Sequence, residues 1–267
     1  MLRALPFFCA LAQLLLPVAA SAQERSVGDD LEHVIEDGWA VLSAPADATS
    51  EDMRTAALFL GGAGVLVLAD GTVQDWVRAH PGSPLVRALG PFRLGGPLDR
   101  LGTTPVIASL AGIALLSGVA FDHDGLRDAG AGCIATSAAS IAVRQVVMMT
   151  LPRARPSEAR GPFGFEPPGL RGWSMGSLPS GHAANPAACY AALAERFDLG
   201  VAEPILWTIP IALGLARVPD EAHWLSDTYL GIGLGYAIGR AIGGRVVERA
   251  APSGPQPALS VVARVRF

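Results

Sequence analysis

Three apolar segments in the first 151 residues limit the fold more than any other feature of the sequence. They are Thr55–Ala69, Thr104–Phe121 and Ala129–Leu151. The third is rich in small residues, which let helices pack closely together. After a proline-rich loop, three more helical segments cover residues 182–197, 202–218 and 223–243. Because no sheet-forming series appears, we predict a hydrophobic all-α bundle of about six core helices that is embedded in or associated with a membrane.

The N-terminus has the composition of an export signal. A short basic start, Met1-Leu2-Arg3, precedes an apolar run from Ala4 to Val18, and Ala20-Ser21-Ala22 follows as a small-residue cleavage pattern. A membrane anchor is the alternative, but Pro17 and the small residues end the apolar run early. We therefore predict a signal peptide over residues 1–22 and a protein that is exported.

The remaining chain divides into three parts by composition. Residues 23–53 are acidic and contain an amphipathic helix that either packs on the bundle or lies at a membrane surface. Residues 54–250 are predicted to form the helical domain. Residues 251–267 form a proline-rich linker and a tail that alternates like a strand.

Charge and cysteine content exclude some classes of function. The formal net charge of -4, with no basic stripe, argues against a nucleic-acid partner. Cys133 and Cys189 lie in apolar helical segments, so we predict two buried thiols rather than a disulfide. Their spacing does not suggest a zinc site, and we predict no metal ligands.

Three short motifs carry residues that suit phosphate chemistry. They are Leu151–Pro156 with Arg153 and Arg155, Pro179–His182, and Ala216–Asp227 with Arg217, His223 and Asp227. An arginine binds phosphate through a planar fork of N–H groups, which a lysine lacks. The first and third motifs therefore predict guanidinium groups at an anion site.

The Pro179–His182 motif predicts the start of a helix that binds an anion. Ser180 is a candidate N-cap, and Gly181 lets another group approach the backbone closely. The free N–H groups of a helix N-terminus attract negative charge, and His182 adds a proton donor near neutral pH. An ordinary turn into a helix is the alternative for this motif taken alone.

His223 and Asp227 have the spacing of neighbours on one helix face. If both lie on a helix that begins near Ala222, the carboxylate fixes one imidazole nitrogen and leaves the other free to attack. A surface pair or a metal-binding face is the alternative, although no third ligand lies nearby in sequence. With the arginines and the helix N-terminus, the two histidines predict a phosphoryl-transfer site that needs no metal.

The three motifs together resemble those of the type 2 phosphatidic acid phosphatase and vanadium haloperoxidase superfamily. That family's motifs read K-x6-R-P, P-S-G-H and S-R-x5-H-x3-D, in this order. The chain matches the second in full, has Ala216 in place of the serine of the third, and has Met148 in place of the lysine of the first. The resemblance covers roughly residues 104–243.

The resemblance implies a role for each matching residue. His223 is the implied nucleophile that forms a phosphohistidine, Asp227 orients it, and His182 protonates the leaving group and then activates water. The implied phosphate-binding residues are Arg155, Arg217, Ser180 and Gly181. No cofactor is implied for a phosphatase, whereas haloperoxidases hold vanadate in the same pocket.

Met148 is the main departure from the family pattern. Losing the lysine removes one cation from a site where a single donor is worth about 3 kcal/mol. Arg153, which we include among the phosphate-binding candidates, and Arg144 are alternative replacements. A member of the fold that binds lipid phosphate but turns over weakly is therefore a second hypothesis.

The substrate and the orientation follow from the export signal and the apolar composition. We expect a lipid-linked phosphate monoester or diphosphate as the substrate; a soluble periplasmic acid phosphatase acting on small phosphoesters is the alternative. Thr55–Ala69 would reach roughly 22 Å as a helix, less than the roughly 30 Å hydrocarbon core. If this segment does not cross, the active site faces the periplasm of a bacterial cell envelope.

Overall fold

The computed structural model describes residues 25–169, 176–197 and 199–250, which form an all-α fold. Its eight α-helices are α1 (Val27–Ser43), α2 (Ser50–Ala79), α3 (Pro84–Ala88), α4 (Thr104–Ala120), α5 (Asp124–Thr150), α6 (Gly181–Arg196), α7 (Glu203–Leu215) and α8 (Leu225–Ala250). Among the described residues, Arg153 and Phe165 form an isolated β-bridge. The predicted all-α class is therefore confirmed. The predicted signal peptide (1–22) and tail (251–267) lie outside the described residues.

Helices α5, α6 and α8 form the centre of the bundle, and small residues line their contacts. Ala135, Ala139 and Ala188 are buried there together with Ile238 and Ile242. Gly235 on α8 lies so close to α6 that an added Cβ would collide with the carbonyl oxygen of a facing alanine. Small side chains therefore let these helices approach closely.

Cys133 and Cys189 form a disulfide, so the prediction of two free thiols is wrong. Cys133 on α5 and Cys189 on α6 are joined, with their Cα atoms 4.6 Å apart. This separation is within the range that a disulfide requires. The residues are 56 positions apart, and the close packing of α5 on α6 brings them together.

Helix α1 packs on the bundle through its acidic side and through Val34 and Val41, whereas the rest of its apolar side is left uncovered. Asp30 and Asp37 are buried, and they pair with Arg127 of α5 and with Arg245 of α8. The apolar residues Leu31, Ile35 and Trp39 are instead exposed. The segment was predicted either to pack on the bundle or to lie at a membrane surface, and in the structure it packs on the bundle.

Helix α2 is twice as long as the sequence predicts. It runs from Ser50 to Ala79, 30 residues, where a helix of Thr55–Ala69 is predicted. At about 1.5 Å per residue it reaches roughly 45 Å, enough to cross a bilayer. Asp70 does not end the helix, because its carboxylate is buried in an ion pair with Arg153. The predicted shortness is therefore wrong, and the site orientation that was argued from it stays a prediction.

Two helices are long and apolar enough to cross a membrane, as judged over the described residues. They are α2 and α5, and only 11% of the apolar window of α2 is buried, against 44% for α5. Helix α4 has 17 residues, one fewer than the predicted segment Thr104–Phe121, and it reaches roughly 25 Å. Large apolar side chains such as Leu58, Leu68, Ile113 and Leu116 face outward from α2 and α4.

Helix α8 begins later and ends later than predicted. It starts at Leu225 rather than near Ala222, and it continues through Gly243 to Ala250. Gly243 does not stop the helix, because it packs against the backbone of α6 at Ala192. The late start changes the site, since His223 precedes the helix.

Candidate active site

A cavity of about 360 Å³ lies where the N-termini of α4 and α6, the C-terminal half of α5 and the segment before α8 meet. Its charged and motif residues are Arg144, Arg155, Gly181, His182, Arg217 and His223. The structure thus brings together five of the residues that the sequence predicted, drawn from all three motifs. Ser180, Asp227 and Arg153 are not part of the cavity wall.

His223 is held in a single tautomer by the backbone. It is buried, and its Nδ1 lies 2.6 Å from the carbonyl oxygen of Ser177. Because a carbonyl only accepts hydrogen bonds, Nδ1 carries the proton and Nε2 keeps its lone pair. Burial, and next the positive charge of Arg155, lower the pKa of His223 well below its ordinary value. The imidazole is therefore neutral at neutral pH.

Asp227 does not contact the imidazole, so its predicted role in orienting His223 directly needs correction. Because α8 starts at Leu225, the two residues do not share a helical face. The Asp227 carboxylate instead accepts from Arg153 Nη1 at 2.6 Å and from the backbone N–H of Trp224 at 2.9 Å. Asp227 therefore holds the turn that carries the histidine.

Arg153 lies outside the cavity, which corrects its place among the phosphate-binding candidates. Its side chain is fully buried, with Nη2 2.7 Å from Asp70 and Nη1 2.6 Å from Asp227. It also donates to the carbonyl oxygen of Pro162. Two carboxylates and a carbonyl occupy the guanidinium, so it has no N–H group to offer a substrate.

Arg144, the other proposed replacement for the missing lysine, faces the cavity. It lies on α5 one turn before Met148, and its Nε donates to the carbonyl oxygen of Pro179 at 3.2 Å. A Cβ built on Gly181 would lie 3.1 Å from the same Nε. Met148 itself is buried and is not a wall residue. Of the two alternatives, Arg144 is the one that the fold brings to the helix N-terminus.

Arg217 is almost completely buried on the opposite wall. Its Nη1 lies 3.1 Å from Asp99 and its Nη2 lies 3.2 Å from Asp220, and Nη2 also donates to the carbonyl oxygen of Phe92. Within the described residues, Nε and Nη1 have no hydrogen-bond partner of good geometry. The carboxylates orient the guanidinium, and it keeps N–H groups for a ligand.

The Pro179–His182 motif begins helix α6 as predicted. Ser180 occupies the N-cap position, but its buried hydroxyl makes no capping bond and has no partner among the described residues. Gly181 and His182 line the cavity, and His182 Nε2 lies 3.9 Å from Asp99. Burial, and next the charge of Arg217, lower the pKa of His182.

Two acidic residues near the site were missed by sequence reasoning. Asp99 contacts Arg217 and lies near His182, and Asp70 pairs with Arg153. Neither has a local sequence signal, because each meets its partner only through long-range packing. In the described part of the chain, no group of three His, Cys, Asp or Glu side chains is placed to hold a metal ion.

The arrangement can bind a tetrahedral oxyanion and attack it. Three guanidinium groups and a helix N-terminus attract the anion, and the neutral imidazole of His223 presents a free Nε2 to the same cavity. His182 is placed to exchange protons there. These features suit phosphoryl transfer in an all-α protein.

Comparison with protein families agrees with this interpretation. Residues 129–246 match the family model of the PAP2 superfamily, and this match confirms the resemblance that the motifs predicted. Comparisons with curated proteins and with solved structures gave no match. The match supports hydrolysis of phosphoesters in general. The matched region starts within α5, so α1 to α4 lie outside it.

Proposed function

We propose that the protein is a membrane-bound phosphatase that hydrolyses a lipid-linked phosphate monoester or diphosphate through a phosphohistidine on His223. One observation carries the proposal: the imidazole has its Nδ1 proton committed to Ser177, and it shares a cavity with Arg144, Arg155 and Arg217. The nucleophile and the groups that neutralise phosphate are thus assembled before a substrate arrives.

In the first step, Nε2 of His223 attacks the phosphorus atom. The N–P bond forms while the bond from phosphorus to the leaving oxygen breaks, and His182 gives that oxygen a proton. The lowered pKa of His182 disfavours the charged form in the empty site. A bound phosphate brings negative charge next to the ring, which favours the protonated acid.

In the second step, His182 takes a proton from a water molecule. The water oxygen attacks the phosphorus, the N–P bond breaks, and the electron pair returns to Nε2 of His223. Inorganic phosphate leaves, and both histidines regain their starting protonation states. The N–H groups at the start of α6 and the three arginines bind the oxygens in both steps.

A large apolar groove supports a lipid as the carrier of the phosphate. The groove has a volume of about 900 Å³ and lies between α2 and α8, with walls that include Phe59, Trp207 and Tyr229. Leu178 and Pro179 also line it, directly before the motif residues of the anion cavity. An acyl or isoprenoid chain in the groove would therefore lie beside the phosphate site.

The disulfide supports an exported protein. Disulfides form and persist in oxidising compartments and are rare in the cytosol, and Cys133–Cys189 joins two core helices. Together with the signal peptide predicted from the sequence, this supports export, and we propose that the active site faces the periplasm. A reporter fused after Gly161 tests the orientation; activity of a reporter that works only in the cytoplasm would contradict it.

Two alternative functions have specific observations in their favour. The absence of the motif lysine at Met148 favours a weakened member that binds lipid phosphate without turnover. The open anion cavity by itself suits a soluble phosphatase of small phosphoesters. Arg144 in the cavity argues against the first, and the exposed apolar faces of α2 and α4 argue against the second.

Phosphate release by the full chain purified in detergent separates the three hypotheses. The panel contains dioleoyl phosphatidate, an isoprenyl diphosphate and p-nitrophenyl phosphate, with His223→Ala as the control. We expect release from the lipid substrates that the variant abolishes. Release from p-nitrophenyl phosphate alone supports the soluble enzyme. Binding of lipid phosphate without release supports the weakened member, and release that persists in His223→Ala contradicts the mechanism.

A further inference from the structure

Asp70 is a buried acid within α2, an apolar helix of which only 11% of the apolar window is buried. It is 1% exposed, and its carboxylate lies 2.7 Å from Arg153 Nη2. A carboxylate in an apolar helix carries a large desolvation penalty, so such residues are rarely retained for stability alone. Asp70 lies outside the region that matches the family model and outside its three motifs.

The carboxylate of Asp70 reaches the turn that carries the proposed nucleophile. Its Oδ1 accepts from the backbone N–H of Ser226 at 2.9 Å, and its Oδ2 accepts from the Ser226 hydroxyl. Through Arg153 it is also joined to Asp227, the next residue along the chain. Helix α2 is therefore connected to Ser226 directly and to Asp227 through Arg153, both at the start of α8.

The same network continues to the imidazole of His223. The backbone carbonyl of Arg153 accepts from the N–H of Ser177, and the carbonyl of Ser177 fixes Nδ1 of the histidine. The indole N–H of Trp224 donates to the carbonyl of Ala154, next to Arg153. The segment that contains Arg153 thus fixes the position of Trp224, which follows His223. It also fixes the carbonyl of Ser177, which sets the tautomer of His223.

We propose that Asp70 is a positioning residue for the phosphoryl-transfer step. By fixing Arg153 and Ser226, it holds the 223–227 turn so that Nε2 of His223 faces the phosphate. This inference rests on the proposed function, and it adds a residue of α2, outside the matched domain, to the machinery. Asp70 acts through its neighbours and does not touch the substrate.

The test compares Asp70→Asn with Asp37→Asn. Asp37 is equally buried and is paired with Arg245 and Arg249, but it contacts the opposite end of α8. The measurement is the single-turnover rate constant for phosphoenzyme formation, with the substrate of the panel that wild type hydrolyses fastest. A rate constant does not depend on the fraction of molecules that are folded.

We expect Asp70→Asn to lower this rate constant about tenfold to hundredfold, the scale of an approximately 1 Å misplacement of a reacting group. KM should stay within about twofold, because the arginines of the cavity are untouched. Asp37→Asn should lower the melting temperature without changing the rate constant. Ser226→Ala removes only the hydroxyl link and leaves the buried ion pair of Asp70 with Arg153 in place; it should slow the same step.

Equal rate constants for Asp70→Asn and wild type would overturn the inference, as would equal losses in Asp70→Asn and Asp37→Asn. If Asp70→Asn does not fold, an unchanged rate constant in Ser226→Ala overturns it instead. The proposed function fails separately: wild type then shows no phosphate release that depends on His223. The two failures are therefore distinguishable in one set of assays.

Discussion

Arg144 and Arg153 lie nine residues apart at the same end of α5, yet they occupy opposite electrostatic environments. Arg153 is enclosed by Asp70, Asp227 and the carbonyl of Pro162. Arg144 has one hydrogen bond, to the carbonyl of Pro179, and otherwise faces the anion cavity. One guanidinium is used to hold the fold together, and the other is left for a ligand.

This difference shows that the groups that an arginine contacts, and not its position in the sequence, determine whether it can bind a ligand. Two carboxylates neutralise Arg153 before any substrate arrives, so a phosphate gains nothing from it. Arg144 meets no carboxylate in the described residues and lies near the positive charge of Arg155. An anion between these two arginines would relieve their repulsion, which favours binding of a phosphate dianion.

The largest expected effect is the loss of stability in Arg153→Met. The substitution leaves Asp70 and Asp227 buried without their shared cation, and breaking a buried pair in this way costs about 3–5 kcal/mol. We expect a reduction of that size in the free energy of unfolding, measured by denaturant titration in detergent. A stability equal to that of wild type would show that the two carboxylates do not depend on Arg153.

Arg144→Ala should have the second largest effect, on activity instead of stability. Removing one donor from a phosphate cage lowers kcat/KM about 100-fold, which corresponds to about 3 kcal/mol. The melting temperature should remain within a few degrees of wild type, because the guanidinium has no buried carboxylate partner. Steady-state kinetics measure kcat/KM, and a thermal melt of the same preparation measures the melting temperature. A loss of stability without a loss of kcat/KM would reverse the assignment.

The site residues that the sequence predicted are those whose position depends on local chain geometry. Gly181 and His182 begin a helix because Pro179 and Ser180 precede them, and Arg155 is followed by a proline that fixes the chain direction. Family spacing then relates these segments to Arg217 and His223. For these residues, local preferences and motif order are sufficient.

The parts that the sequence did not predict depend on contacts between distant segments. Asp70 meets Arg153 across 83 positions, and Cys133 meets Cys189 across 56. The Asp70-Gly71 pair is typical of a turn, but a buried ion pair outweighs that local preference and continues α2 to Ala79. Asp227 was predicted to contact His223 because the helix start was placed three residues too early.

The pH dependence of kcat/KM offers a third way to distinguish the roles of Arg144 and Arg153. Burial and the positive charges of Arg155 and Arg144 lower the pKa of His223, whereas the charge of Arg153 is compensated by Asp70 and Asp227. Because the neutral ring is the nucleophile, a lowered pKa keeps the enzyme active to lower pH, and its acid limb should lie below pH ~6.5. Removing a nearby positive charge raises the pKa of His223.

In Arg144→Gln the acid limb should therefore move to higher pH. The change is measured as the midpoint of the pH profile of kcat/KM, with a substrate whose own ionisation is known. Asp37→Asn serves as the matched control, because it lies at the other end of the bundle and should leave the midpoint unchanged. A midpoint above that of a free histidine in wild type would contradict the neutral, buried state of His223.

The smallest expected effect is that of Glu221→Gln. This substitution tests whether an exposed ion pair contributes less than the buried pairs of Arg153. Glu221 lies two residues before His223 and pairs with Arg78 of α2 at 2.9 Å, but both side chains are substantially exposed. The Arg78 hydrogen bond lowers the pKa of Glu221, yet exposed pairs of this kind are worth about 0–1 kcal/mol. We expect less than a twofold change in kcat and a small change in melting temperature, measured beside Arg153→Met. A large loss of kcat would mean that α2 positions the His223 segment through its surface contact as well as through Asp70.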